Sequence, residues 1–220
     1  MTKIATKLIA ELVGTALLVA VVLGSGIMGT SLSADSGVAL IINAFSTIFA
    51  LGLLIMVIGP ISGAHFNPVV SLTQWLGKGL SGAQALGYFV AQVFGAIFGA
   101  ILANLMFNLS AISIATHQRT STGTLIGEAV ATAGLIVVIG VLSGRGQGNY
   151  IPVAVPAWIG SAYFFTSSTS FANPAVTVGR IFSNTFAGIA PDSVAPFILA
   201  QLVGALLGFA LVKGIKNVSN

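Results

Sequence analysis

Glu11 and Glu128 are the two carboxylates of this chain that stand inside long apolar runs. A carboxylate in such a place is costly and is kept where it is paired or where it serves a function such as proton relay. Two Asn-Pro pairs, Asn67-Pro68 and Asn173-Pro174, occupy further apolar stretches. Asn is a favoured helix N-cap and Pro is favoured at the first helical position, so each pair reads as the opening of a helix. Other chemistry-bearing types are scarce. Cys is absent, which removes disulfides, thiolate metal sites and Cys nucleophiles together. The two His are His65, just before the first Asn-Pro, and His117. No metal cluster, phosphate loop or cofactor motif is legible, and no cofactor is expected.

The elements that must position these groups are membrane spans. Lys plus Arg is 8 and Asp plus Glu is 4, so 5% of the 220 residues are charged and 56% are hydrophobic. A soluble domain carries about a quarter charged residues, and a soluble globule of this size could not cover its surface with so few. The net charge of +4 comes from scattered cations without a basic stripe, so no nucleic-acid partner is expected. Crossing the hydrocarbon needs about 20 apolar residues. Six stretches near that length run over 8–28, 38–58, 83–107, 124–142, 151–166 and 194–212. The first is longer than the apolar core of a cleaved signal peptide and has Glu11 near its start. An even number of spans puts both termini on one side. Lys3, Lys7, Lys78, Arg145, Lys213 and Lys216 fall there, with Arg119 and Arg180 opposite. That asymmetry predicts cytoplasmic termini, and the plasma (inner) membrane is the expected location.

The two halves of the chain resemble each other. Tyr88-Phe89-Val90-Ala91-Gln92-Val93-Phe94-Gly95-Ala96 matches Phe197-Ile198-Leu199-Ala200-Gln201-Leu202-Val203-Gly204-Ala205, and Gly99 and Gly208 continue the match. Glu11 and Thr15 correspond to Glu128 and Thr132, and the two Asn-Pro segments correspond to each other. Repeat one is expected over about 1–107, a connection over 108–123 and repeat two over about 124–220, as a single channel domain. Three spans per copy make the copies opposite in orientation, about a pseudo-two-fold axis in the membrane plane. The Gly-x-x-x-Gly spacings read as close helix packing.

The segments 59–75 and 167–180 are too apolar for surface loops and too short to span. Each reads as a re-entrant turn followed by a short helix, since irregular backbone at membrane depth survives only within protein or beside a water-filled cavity. Half-helices entering from opposite faces meet at the midplane with their positive ends adjacent. That field repels protons and cations, while two Asn amides offer hydrogen bonds to a passing neutral solute.

At these residues the chain resembles the aquaporin and aquaglyceroporin family, the major intrinsic proteins. The likeness lies in Ala10-Glu11-Leu12-Val13-Gly14-Thr15, Ser62-Gly63-Ala64-His65-Phe66-Asn67-Pro68 and Asn173-Pro174-Ala175. It implies an all-α membrane protein with six transmembrane helices and two re-entrant half-helices, a pore in each subunit, and a homotetramer in the lipid bilayer. Carried over, Asn67, Pro68, Val69, Asn173, Pro174 and Ala175 are the pore motifs, with the two Asn as central pore amides. Glu11 and Glu128 become the carboxylates that hold the loops, a proton relay being the other reading. His65 becomes a candidate for the inner pore wall.

The chain departs from the family pattern at two places. Val69 stands where Ala is common, and Val176 stands where an Arg usually helps form the outer constriction. Counted without gaps, the other three filter positions fall on Thr47, Ser161 and Ser170. Four small uncharged side chains predict a wide, neutral filter that passes water, glycerol, urea and neutral metalloid hydroxides such as arsenous acid. The alternatives are a plain water-selective channel and a non-conducting structural membrane tetramer. Arg180, four residues after Val176 and about 6 Å further along the helix, reads either as an arginine reaching out to the interface or as a vestibule cation. Gly79-Leu80-Ser81-Gly82 matches the nucleophile segment of rhomboid-type intramembrane proteases, but Ser81 equally reads as an N-cap, and no enzyme activity is expected.

Overall fold

The computed structural model describes residues 3–218, with side chains as far as residue 215. The side chain of Lys216, counted above among the inner cations, lies outside that description. Eight α-helices follow one another: α1 (Lys3–Leu32), α2 (Ser36–Ser62), α3 (Pro68–Leu76), α4 (Gly82–Met106), α5 (Thr122–Gly144), α6 (Ile151–Phe165), α7 (Pro174–Gly179) and α8 (Pro191–Val218). No strand occurs among the described residues. The six long apolar stretches are α1, α2, α4, α5, α6 and α8, and the two short helices α3 and α7 begin on the Pro of each Asn-Pro pair.

Polar caps fix where these apolar helices start. Asp35 Oδ1 accepts the backbone N–H groups of Gly37 and Val38 at the head of α2. Ser81 and Gln84 form a reciprocal capping box on α4, and Ser121 and Thr124 do the same on α5. Such caps satisfy N–H groups that a helix cannot satisfy internally. The Ser81 hydroxyl is thereby committed to the Gln84 N–H. One boundary differs from expectation. The sequence places the start of the re-entrant segment at Gly59-Pro60, yet α2 continues through Pro60 to Ser62. It stops at Gly63, whose φ of 93° and N–H bond to the Gly59 carbonyl make the left-handed cap. Proline removes one donor, and the remaining turn is held by this cap.

The halves pack alike. α1 lies chiefly on α4 and α5 on α8, while α2 touches both α1 and α6. Small residues let the paired helices approach. A Cβ on Gly95 or Gly99 would strike the carbonyl oxygens of Leu12 and Ala16, and one on Gly204 or Gly208 would strike those of Ala129 and Ala133. The interior is correspondingly rich in alanine, with Ala96, Ala100, Ala103, Ala131 and Ala205 fully buried. Large apolar side chains point outward instead, among them Phe49, Leu53, Met56, Leu86 and Leu199. A soluble protein would bury them; a bilayer accepts them. Five helices have both the length and the apolarity to cross a membrane. α6, with 15 residues, is the short one and follows directly on a 3-10 turn at Gly148–Tyr150.

Candidate functional site

Each re-entrant loop is wound by repeated departures from ordinary backbone. Gly63, Ala64 and Phe66 have φ of 93°, 49° and 49°, and Thr169, Ser170 and Ala172 have 60°, 52° and 47°. Left-handed non-glycine residues are strained, so the surroundings must hold them. The holding groups are the two buried carboxylates. Glu11 Oε1 accepts the His65 N–H at 3.0 Å and the Ser62 hydroxyl at 2.6 Å, and Oε2 accepts the Phe66 N–H at 2.7 Å. Glu128 Oε1 accepts the Phe171 N–H at 2.9 Å and Oε2 the Ala172 N–H at 2.8 Å. Gln92 completes the first set by donating to Glu11 Oε2 and to Ser71 Oγ. Gln201 completes the second by donating to Glu128 Oε2 and to Thr177 Oγ1. Matching residues of the two halves thus make matching bonds. Both carboxylates are fully buried and lie away from the central cavity.

The loops deliver the two Asn side chains to each other. Asn67 Oδ1 caps α3 by accepting the Val69 N–H, and Asn173 Oδ1 caps α7 by accepting those of Ala175 and Val176. Asn67 Nδ2 donates to the Ala172 carbonyl at 2.8 Å, and Asn173 Nδ2 donates to the Phe66 carbonyl at 2.8 Å. The two loops are stapled at their tips. A primary amide carries two N–H donors, so each Asn keeps one beyond the staple.

Both amides face a cavity of about 310 Å³. Apolar side chains form one wall, including Leu18, Leu51, Ile55, Leu135, Val155 and Ile159. The other wall is loop backbone and polar groups from Gly63 to Asn67 and from Ser170 to Asn173. Among the residues singled out from the sequence, His65, Asn67, Thr47, Ser170, Asn173 and Val176 line this cavity. His65 Nδ1 lies 2.9 Å from Ser71 Oγ, which fixes its ring against the turn. Pro68, Val69, Pro174 and Ala175 are buried behind the tips and off the lining. Val69 is completely enclosed, so its two extra methyls relative to Ala fill core space.

Two expectations are corrected. Ser161 is exposed, bonds the Ala157 carbonyl and takes no part in the lining. Tyr163 stands there instead, with its hydroxyl donating to Thr47 Oγ1 at 3.2 Å. Two residues turn a helix by about 200°, which sends one side chain inward and the other outward. Arg180 does not reach out to the interface, and the cavity wall is not free of charge. Its side chain is 3% exposed and lines the cavity, with Nε bonded to the Ala187 carbonyl and Cζ 3.3 Å from the centre of the Phe171 ring. Neither Tyr163 nor Phe171 is legible as a site residue from sequence, because ungapped counting misses the phase of α6 and Phe171 resembles ordinary core.

Arg119, in the connection after α4, approaches the same ring at 5.4 Å and donates to the Gly188 and Phe186 carbonyls. Burial pushes its guanidinium down to about 10, which leaves it charged at neutral pH. Its Nη2 lies 3.3 Å from His117 Nδ1. Desolvation and then the Arg119 and Arg180 cations push His117 below the ordinary imidazole range, so this edge of the mouth holds two cations and a neutral ring.

Comparison with known proteins places this geometry. The model of the family described as major intrinsic protein matches residues 1–170. The chain is 44% identical over 208 residues to aquaglyceroporin AqpS of Rhizobium meliloti (strain 1021), covering 94% of this chain and 88% of that protein. It is 29% identical over 227 residues to aquaporin Z of Brucella melitensis biotype 1, covering 95% and 97%. In three dimensions it is similar to the X-ray structure of the aquaglyceroporin from Plasmodium falciparum, with a TM-score of 0.74 at 20% identity over 95% of this chain and 93% of that one. At that identity the structural likeness speaks for the fold.

Proposed function

Because this chain belongs to the major intrinsic protein family, a family of membrane channels, we propose that it is a passive conduit for water and small uncharged solutes: glycerol, urea and neutral metalloid hydroxides such as arsenous acid. Asn67 and Asn173 are the central hydrogen-bonding groups of the path. Each has one amide N–H committed to the opposite loop and one left for the solute. At this point, at the heads of α3 and α7, these N–H groups donate to a solute oxygen and oppose a proton or cation. Glu11 and Glu128 are scaffold, since their oxygens are engaged by loop N–H groups and by Gln92 and Gln201. No catalytic step is assigned to any residue.

The observation that carries the solute reading is Val176 on the cavity wall, beside Thr47 and Ser170. A branched apolar side chain there leaves room that an arginine would fill, and the neighbouring hydroxyls keep the passage wettable. Wild type and Val176→Arg, reconstituted in proteoliposomes, are compared for water, glycerol, urea and arsenite flux. The substitution is expected to lower solute flux while water continues to pass; unchanged solute flux alongside retained water flux sinks the wide-filter reading. A homotetramer in the plasma membrane belongs to the same proposal and rests on family membership and the apolar outer faces.

A further inference from the structure

We propose that Ser71 is a positioning residue that decides which nitrogen of His65 carries the proton, so that an imidazole N–H rather than a lone pair faces the cavity. The inference rests on the channel reading above and adds a third solute donor to its two Asn amides. Glu11 is the fixed end of a relay. It accepts from four donors, the Ser62 hydroxyl, the His65 and Phe66 N–H groups and the Gln92 amide. The Gln92 nitrogen, not its oxygen, therefore faces the carboxylate, at 2.8 Å. That same Nε2 lies 3.0 Å from Ser71 Oγ, so the Ser71 oxygen accepts there and must send its own proton elsewhere. The other partner of this hydroxyl is His65 Nδ1, at 2.9 Å. Ser71 donates and Nδ1 accepts, and a neutral imidazole with a bare Nδ1 holds its proton on Nε2.

The second half of the chain shows where the relay ends without this ring. Gln201 donates to Glu128 and to Thr177, but the Thr177 hydroxyl passes its proton to the Asn173 carbonyl at 2.8 Å. Phe171 occupies the place that matches His65 and has no nitrogen to receive it. Among the described residues the Ser71 hydroxyl makes no such bond to the Asn67 carbonyl, which leaves it to the imidazole. His65 Nε2 is the free end. The residue is half-buried and lines the cavity. Its Nε2 has no partner among the described residues, and it is not sealed from solvent as the unpartnered Gln92 Oε1 is. Tyr88 packs edge-on against the imidazole at 5.1 Å, and its own hydroxyl is committed to the Ser62 carbonyl. The Nε2 proton is thus kept for a solute oxygen, in the same sense as the spare N–H groups of Asn67 and Asn173. The opposite tautomer would present a lone pair, which attracts a proton or a cation.

Nitrogen NMR of isotope-labelled histidine in proteoliposomes reads the two ring nitrogens separately, and His117→Gln removes the other imidazole of the chain. At a pH of about 8, where an imidazole is neutral, His65 is expected to show a protonated Nε2 and a bare Nδ1. Added glycerol is expected to shift the Nε2 signal and leave Nδ1 in place. A protonated Nδ1 with a bare Nε2 overturns the relay, and an Nε2 signal indifferent to glycerol overturns its role as a solute donor. Ser71→Ala is expected to bring up the second tautomer beside the first, a change that a purely structural serine would not produce. A spectrum with Nε2 alone protonated in that variant overturns the assignment to Ser71. Where the variant does not assemble, the spectrum with Ser71 in place decides. Glycerol flux in the same vesicles separates the two readings: flux no greater than in empty vesicles overturns the channel, whichever nitrogen holds the proton.

Discussion

Glu128 joins a strained loop to two helices through a single side chain. Its oxygens accept the N–H groups of Phe171 and Ala172 and the Gln201 amide, and that amide also reaches Thr177 on α7. Removing the carboxylate leaves the two loop N–H groups buried without an acceptor and costs Gln201 one of its two bonds, and the left-handed residue Ala172 loses the group that fixes it. Leaving the two buried backbone donors unanswered costs about 1–3 kcal/mol each. Glu128→Ala is therefore expected to be destabilised by the sum of the two in unfolding titrations from detergent. Gln201→Ala, which leaves the backbone bonds in place, is expected to lose about 1–3 kcal/mol. Equal losses from the two variants would show that the loops are held by something other than the carboxylate. The importance of the carboxylate is legible in the sequence because an acidic group in an apolar span has so few tolerable explanations. Arg180 is not legible in that way, since its burial depends on the Phe171 ring and the Ala187 carbonyl, two groups that only the turns bring near it.

Helices carry most of the legible information. Length and apolarity locate all six long helices, and N-cap chemistry locates both short ones, because an Asn-Pro pair dictates its local structure without help from the rest of the fold. The phase of a helix is a different matter. α6 begins after a 3-10 turn and contains Pro152 and Pro156, so the direction of Tyr163 and Ser161 follows from where the helix starts, which span-length arguments do not fix. Close helix packing sits between these cases. The spacing of Gly95 and Gly99 announces a contact, and the contact is the α1 backbone at Leu12 and Ala16. Its counterpart in the second half is Gly204 and Gly208 on Ala129 and Ala133. Gly99→Leu and Gly208→Leu must push backbone from backbone, since no flexible side chain can yield. Each is expected to cost at least about 1–3 kcal/mol, the range for overpacking, and the two losses are expected to be similar. Thermal unfolding of the purified protein in micelles measures both, and tolerance of leucine at either position would contradict the packing.

Orientation is a property of the whole chain, set by where its few cations gather. Arg119 and Arg180 are far apart in sequence, yet both stand on Phe171 and bond carbonyls of the same stretch, 186–188. The remaining described cations, Lys3, Lys7, Lys78, Arg145 and Lys213, lie in the ends and connections that an even number of crossings assigns to the other side. Of the two arginines on the minority side, Arg180 is buried on the cavity wall and Arg119 is half-buried behind the same Phe171 ring. Lys and Arg in short connections bias a chain toward keeping those connections in the cytoplasm, which predicts both termini inside and the Arg119–Arg180 side outside. Because the chain has no Cys, single cysteines report on this without background. Ser110→Cys, exposed in the connection after α4, is expected to react with a membrane-impermeant maleimide added to intact cells. Gly146→Cys, exposed between α5 and α6, is expected to react only after the membrane is opened. The reverse pattern would place the arginine side in the cytoplasm, and an entering solute would then meet the Asn pair before it meets Arg180.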